Sequence, residues 1–324
     1  MKRLAACLWA LQASAAFGGP EGVGTTSADF LKIPAAARPA AMGEAFAGLA
    51  DDESSLTYNP SGIARPLEHS LSATHVEWFQ GIRLEHLGGV LALGEQGGLA
   101  VDLSWLQVDA MARTLRVANS ADPLSNYAEI GSFSPHDAAL GLGYARPFGK
   151  SFNTGLSAHF IQQNIDAQNG YGLGLDLGAQ WLGLPGGLDL GLVIKHLGTP
   201  LALGANGSQL PLDFRLGALK RMKGLPLLWS AELGIPVDGQ LMPGVGVEGE
   251  LYRLLALRAG WRGGYANQFS AGLGFKLAGF KLDYAWVPFE LLGPTHRLTL
   301  TRVFSAVSLG LDLDRDLIGP LGDV

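Results

Sequence analysis

Four stretches of this 324-residue chain carry residue types whose spacing could do chemistry. Gly244-Val245-Gly246-Val247-Glu248-Gly249 satisfies G-x-G-x-x-G, but a dinucleotide fingerprint needs a strand-to-helix turn, and these residues lie inside a strand-like run. GYARPFGKS, Gly143 to Ser151, resembles a phosphate loop with one residue too many between its glycines, and reads as a tight turn. Asp312, Asp314 and Asp316 suggest a calcium loop, yet the sixth position is Leu317 rather than glycine and the twelfth is Asp323 rather than glutamate. They are expected to be a solvated acidic tail. Ser157 and His159 share one strand face, but i and i+2 lie about 6.5–7 Å apart along a strand, too far for an activated serine. No orienting third residue stands out. The sequence therefore predicts no enzyme, no metal site and no cofactor.

Those stretches must be positioned by something, and composition narrows what. The chain is 48% hydrophobic and 16% charged, with 46 glycines, against roughly 25% charged residues in soluble domains. No apolar run after the N-terminus is long enough for a transmembrane helix. Residues 1–16 read as a signal peptide: Lys2 and Arg3, an apolar Leu4–Leu11, then Ala13-Ser14-Ala15. Losing Lys2 and Arg3 takes the formal charge from −6 to −8, which disfavours nucleic acid. Cys7 is the only cysteine, so disulfides are excluded from the exported chain.

From residue 69 onward the hydrophobicity alternates with period 2. GLGLDLGAQW (172–181) sets Leu173, Leu175, Leu177 and Trp181 against Gly172, Gly174, Asp176, Gly178 and Gln180. FSAGLGFKL (269–277) and FKLDYAW (280–286) repeat the scheme. Segments of about ten residues, apolar on one side and small or polar on the other, are the mark of a transmembrane β-barrel. Fourteen strands are expected: 69–79, 82–93, 98–107, 137–148, 152–165, 172–184, 188–198, 210–222, 227–237, 243–253, 254–263, 268–278, 280–289 and 295–304. Connections alternate long and short, as they do between an outer and a periplasmic face. The fold class is an all-β, 14-stranded antiparallel transmembrane barrel with a short N-terminal helical plug. Its parts are the leader 1–16, the plug segment 17–66, the barrel 67–304 and an acidic tail 305–324.

Within the plug segment, PAAMGEAFAGLA (39–50) fits a short amphipathic helix, with Met42, Ala45, Phe46 and Leu49 at i, i+3, i+4 and i+7. Asn59-Pro60-Ser61-Gly62 is a turn by composition. Asp176, Lys195, Arg215, Glu248, Glu250, Arg258, Arg262, Lys276, Lys281 and Asp283 alternate with apolar neighbours. Since Arg or Lys facing lipid near the midplane costs about 2–4 kcal/mol, these point into the lumen. Arg38, Glu44, Asp51 and Asp52 of the plug are their expected partners. His75, His86 and His196 are expected at strand ends, on the membrane interface.

GTTSADFLKIPAAARPAAMGEAFAGLADDESSLTYNPSGIA (24–64) and HVEWFQGIRLEH (75–86) resemble the N-terminal signature of the PorV/PorQ family of outer-membrane proteins, itself related to FadL-type transporters. LRAGWRGG (257–264) and KLDYAWVPFELLGPTHRLTL (281–300) are similar to the family's last strands. The resemblance implies an outer-membrane barrel of a Gram-negative-type bacterium, with Asn59, Pro60 and Gly62 in the family's Asn-Pro-x-Gly turn. It implies outer-membrane lipids around the wall and a role in binding or shuttling exported proteins. The FadL relation implies an alternative, an uptake channel for hydrophobic small molecules such as long-chain fatty acids. The plug and turn candidates are thus Arg38, Met42, Glu44, Phe46, Leu49, Asp51, Asp52, Asn59, Pro60 and Gly62; the lumen candidates are Asp176, Gln180, Arg258, Lys276 and Asp283.

Overall fold

The computed structural model describes residues 22–65, 68–117, 126–204, 206–264 and 267–304. The expected signal peptide and the aspartates of the expected acidic tail lie outside them. Among the described residues no helix is long and apolar enough to cross a membrane.

Among the described residues eighteen strands form in chain order: β1 (His69–Glu77), β2 (Ile82–Ala92), β3 (Gly98–Val108), β4 (Met111–Arg116), β5 (Tyr127–Phe133), β6 (His136–Phe148), β7 (Phe152–Ile165), β8 (Gln168–Leu184), β9 (Leu188–Gly198), β10 (Leu201–Leu203), β11 (Asn206–Ser208), β12 (Asp213–Arg221), β13 (Leu227–Pro236), β14 (Met242–Leu251), β15 (Leu255–Arg262), β16 (Gln268–Leu277), β17 (Phe280–Phe289) and β18 (Gly293–Phe304). Fourteen of them close a barrel whose seam joins β1 to β18, His69 opposite Phe304 and Glu77 opposite His296. The other four are two hairpins, β4–β5 and β10–β11, set within the long connections 108–136 and 199–209. Sequence alternation does not separate those hairpins from loop: β4 is exposed along almost its whole length, and β10, which sets Leu201 and Leu203 on an apolar core, is only three residues long.

Alternation does its expected work on the wall. Leu173, Leu175 and Leu177 point outward at 59%, 43% and 43% exposure, whereas Asp176 and Gln180 point inward and are fully buried. Phe148, Phe152 and Trp181 pack ring to ring at the short-turn rim, as an interfacial girdle does. Trp78 and Phe289 do not join such a girdle. They meet each other and Phe79 at the long-loop rim and line a cavity inside it.

The N-terminal segment runs through the lumen. Ser27 bonds to Ser208 and Gln209 at the long-loop rim, and Arg65 lies 3.9 Å from Asp189 at the short-turn rim. The expected helix over 39–50 is a single helical turn, Ala37–Ala41. Gly43 and Glu44 both take positive φ (61° and 63°), a left-handed pair that no α-helix continues through. Met42, Phe46 and Leu49 are nevertheless wholly buried, in turns rather than on a helix face. Asn59-Pro60-Ser61-Gly62 opens a 3-10 turn, Pro60–Ala64, capped by the Asn59 side chain.

Two further expectations are corrected. His86 and His196 are buried lumen residues rather than interface residues. On β2 Leu84 and His86 alternate inward against outward Glu85 and Leu87; Leu84 joins an apolar core with Phe30, Ala28 and Ala35 of the N-terminal segment and with Val76, Leu106 and Ile161. An apolar lumen reverses the polarity expected of a water-filled one. His75 does face outward, bonded to Glu85 at 2.7 Å.

Candidate functional site: the occupied lumen

The inward glycines set how closely plug and wall approach. A Cβ at Gly246 would sit 2.5 Å from the Met42 carbonyl oxygen, and one at Gly217 would sit 2.5 Å from the Gly48 nitrogen. Gly260 faces the Gly43 backbone, Gly191 the Ala47 carbonyl, Gly155 the Pro60 carbonyl and Gly178 the Asn59 side chain. The wall glycines are therefore sockets for backbone. The G-x-G-x-x-G run lies in β14, where Gly244 and Gly246 receive Gly43 and Met42.

Hydrogen bonds fasten what the sockets admit. The Asn59 amide donates to the Ala47 carbonyl oxygen, and Asn59 Oδ1 accepts from Ser61 N and Oγ at 3.1 and 2.7 Å. Gln180 Nε2 donates to the carbonyl oxygens of Ala47, Gly48 and Ala50. Glu232 of β13 accepts from Phe46 N and Ala47 N at 2.9 and 2.6 Å, capping the start of the turn that Ala50 N closes on the Phe46 carbonyl oxygen.

Charges form one network centred on Arg38. Its guanidinium holds Glu248 through two bonds (2.8 and 2.9 Å) and reaches Asp51 and Asp52 at 2.7 Å each. Arg258 bridges Glu248 and Asp283 at 2.6 Å each, and Lys281 faces Glu53 at 3.6 Å. Burial pushes the Asp52 carboxyl up, yet Arg38, Lys281 and the Ser54 hydroxyl hold it below the ordinary carboxylate value. Lys276 pairs with Glu250 at 2.9 Å, outside this network. Glu44 is buried but forms no ion pair among the described residues, and its Oε1 has no partner.

A second polar cluster contradicts the distance expected between Ser157 and His159. Their side chains lean together, Ser157 Oγ to His159 Nε2 at 2.9 Å, and Asp176 Oδ2 lies 3.2 Å from the same nitrogen. Asp176 is thus a third group, supplied by β8. However, a nucleophilic triad needs the carboxylate on one ring nitrogen and the serine on the other. Here both crowd Nε2. Asp176 Oδ1 also accepts from His196 N at 2.6 Å, where β8 and β9 shift register, so the carboxylate supports a bulge in the wall.

Cavities remain between plug and wall in the outer half. One of about 300 Å³ lies under the long-loop rim, among Val23, Leu31, Pro211, Pro236, Met242, Arg215 and Arg262. Its cover, the segment around Thr26 and Lys32, is tied down by the buried Asp238, which accepts from both. Another, of about 160 Å³, is bounded by Pro34, Ala40, Glu44, Trp78, Phe289, Arg262 and Arg297. Arg297 escaped the reading of lumen charges, although Thr295-His296-Arg297-Leu298-Thr299-Leu300-Thr301 alternates strictly and puts it inside.

No family model matches the chain, and no curated protein is similar to it in sequence. Solved structures are similar in fold. The Pseudomonas putida toluene transporter TodX shares 12% identity over 84% of this chain and 99% of its own, with a TM-score of 0.57. The Ralstonia pickettii toluene transporter TbuX shares 12% over 83% and 98%, at 0.54. A Pseudomonas aeruginosa FadL homologue shares 12% over 84% and 99%, at 0.52. The chain has the fold of these transporters: a closed, 14-stranded antiparallel barrel.

Proposed function

We propose that this chain is an outer-membrane channel for uptake of hydrophobic and amphiphilic small molecules, closed at rest by its N-terminal segment. The observation that carries the reading is the cavity of about 300 Å³ at the outer mouth. Val23, Leu31, Pro211, Pro236 and Met242 give it apolar walls; Arg262 and the ion-paired Lys32, Asp29, Asp238, Arg215 and Asp213 give it polar ones. Such a mixture suits a solute with an apolar body and a polar end. The fold shared with two toluene transporters and a FadL homologue supports the same reading.

On this reading Arg38, Asp51, Asp52 and Glu248 hold the plug seated, and Asn59, Pro60 and Gly62 form its clasp on the wall. The chain acts as a conduit and not as an enzyme, consistent with the geometry at His159. The exported-protein shuttle rests on the PorV/PorQ sequence resemblance alone, and nothing among the described residues adds to it.

The test is uptake of radiolabelled toluene and oleate by proteoliposomes holding the full chain. Saturable uptake that falls at least tenfold in Leu31→Trp and Met242→Trp supports the channel. Uptake no faster than in empty liposomes overturns it.

A further inference from the structure

Arg297 is 1% exposed, yet it meets no carboxylate among the described residues. Its Nε donates to the Pro34 carbonyl oxygen at 3.2 Å and its Nη1 to Thr295 Oγ1 at 3.1 Å, both neutral acceptors. Its Nη2 has no partner. Trp78 lies under the guanidinium at 5.0 Å, a cation–π contact that offsets part of the desolvation. A buried guanidinium is normally matched by an anion, as Arg38 and Arg258 are here. On the plug side of the same cavity Glu44 is 8% exposed, and its Oε1 is also unpartnered. Two opposite charges with orphaned atoms thus line one space without closing on each other.

The space has a size and a sign. At about 160 Å³ it matches the roughly 150 Å³ engineered cavity that takes one benzene ring, and it is too small for a long acyl chain. Trp78, Phe289, Val287 and Pro34 provide apolar and aromatic walls. Arg262 is a second cation here, and it too lacks an ion pair among the described residues; its Nη2 contacts Met242 Sδ at 3.0 Å. Lys32 is already paired with Asp29 and Asp238. Two unpaired arginines against one unpaired glutamate leave one positive charge in excess. A monoanion balances it, provided that it also offers Glu44 a hydrogen-bond donor. A plain hydrocarbon would leave both orphaned atoms buried and unsatisfied, which is the costly case.

We propose that this cavity binds a monocyclic aromatic carboxylate bearing a hydroxyl group, with its carboxylate on Arg297, its hydroxyl donating to Glu44 and its ring packed against the touching Trp78–Phe289 pair. The proposal rests on the uptake reading, because a passing solute then fills the site.

The experiment measures binding of 4-hydroxybenzoate, benzoate and toluene to the purified full chain in detergent, by calorimetry and tryptophan fluorescence. The expected result is saturable binding in the order 4-hydroxybenzoate, benzoate, toluene. Arg297→Leu should weaken both acids at least tenfold and leave toluene unchanged or tighter. Glu44→Met, a change of similar length that removes the acceptor and tests the site even if Arg297→Leu does not fold, should abolish the preference for 4-hydroxybenzoate over benzoate. No saturable binding of either acid, equal affinity for all three, or a preference that survives Glu44→Met overturns the proposal. Proteoliposome uptake of toluene and oleate is run in parallel. Uptake without acid binding sinks this site and leaves the channel standing, whereas absent uptake sinks the channel reading itself.

Discussion

Asn59 of the plug and Gln180 of β8 donate to the same acceptor, the Ala47 carbonyl oxygen, at 2.7 and 3.3 Å. One links two parts of the plug; the other links plug to wall. Each covers for the other. Asn59→Ala and Gln180→Leu should separately cost about 1–3 kcal/mol. Together they should cost more than their sum, with a coupling of about 0.5–3 kcal/mol. Urea unfolding of the refolded protein in a double-mutant cycle measures that coupling.

Arg38 faces three carboxylates, so removing it leaves Glu248, Asp51 and Asp52 short of their shared cation. Arg38→Met should destabilise the seated plug by about 3–5 kcal/mol, the usual cost of orphaning buried charge. Hydrogen exchange over 37–64 should rise sharply while the wall strands keep their protection. Equal loss of protection in both would mean that the plug is not a separate unit.

The glycine sockets predict a leak. Gly260→Val and Gly191→Val place side-chain atoms where the Gly43 and Ala47 backbones lie. The plug should be displaced while the fourteen-strand wall still closes. Single-channel conductance in planar bilayers should rise from near zero to a steady open level. Gly183→Val faces nothing within 4 Å but carries the strain of a positive φ (65°), which Gly191 and Gly260 lack, so as a control it should leave the channel closed.

Acid should unseat the plug only at low pH. The folded Asp52 carboxyl is held below its ordinary value, so its contribution is complete above about pH 3.9, the unfolded value, and is lost as pH falls through the lower folded one. Conductance should therefore stay closed down to about pH 4 and open below it. Asp52→Asn should remove that part of the acid response, and an unchanged profile would rule Asp52 out as its source.

Ser157 should behave as an ordinary serine. A fluorophosphonate probe should leave it unlabelled, because Asp176 and Ser157 compete for one ring nitrogen of His159. Labelling that depends on His159 would reverse that reading.

The wall was legible because lipid imposes one rule on every strand: outward residues are apolar. β17 obeys it along its length, with Phe280, Leu282, Tyr284 and Trp286 outward, and β6 and β7 obey it over their middle, departing at Arg146, Gln162 and Asn164 towards their ends. The lumen was less legible because what faces it depends on the plug. Leu84 is an apolar residue on the inner face that packs with Phe30, and nothing in IRLEHLGG announces that neighbour. Helical propensity in PAAMGEAFAGLA was overridden at Gly43-Glu44, where the backbone must bend to enter the Gly244, Gly246 and Gly260 sockets. The charge partners were more accessible. Buried charges need counter-charges, so Arg38 could be matched with acids on the wall before any coordinate was known. Arg297 and Glu44 escape that logic, since they have not found each other.

The pairing of β1 with β18 joins residues more than two hundred positions apart, and such distant contacts form late in folding. The plug immediately precedes β1, so it is already tethered to one lip of the seam when the other lip arrives. The cylinder can then complete itself only around that tether or with it left outside. The bare backbone sockets on the inner wall favour the first course, and the last strand to dock becomes the one that imprisons the first residues made.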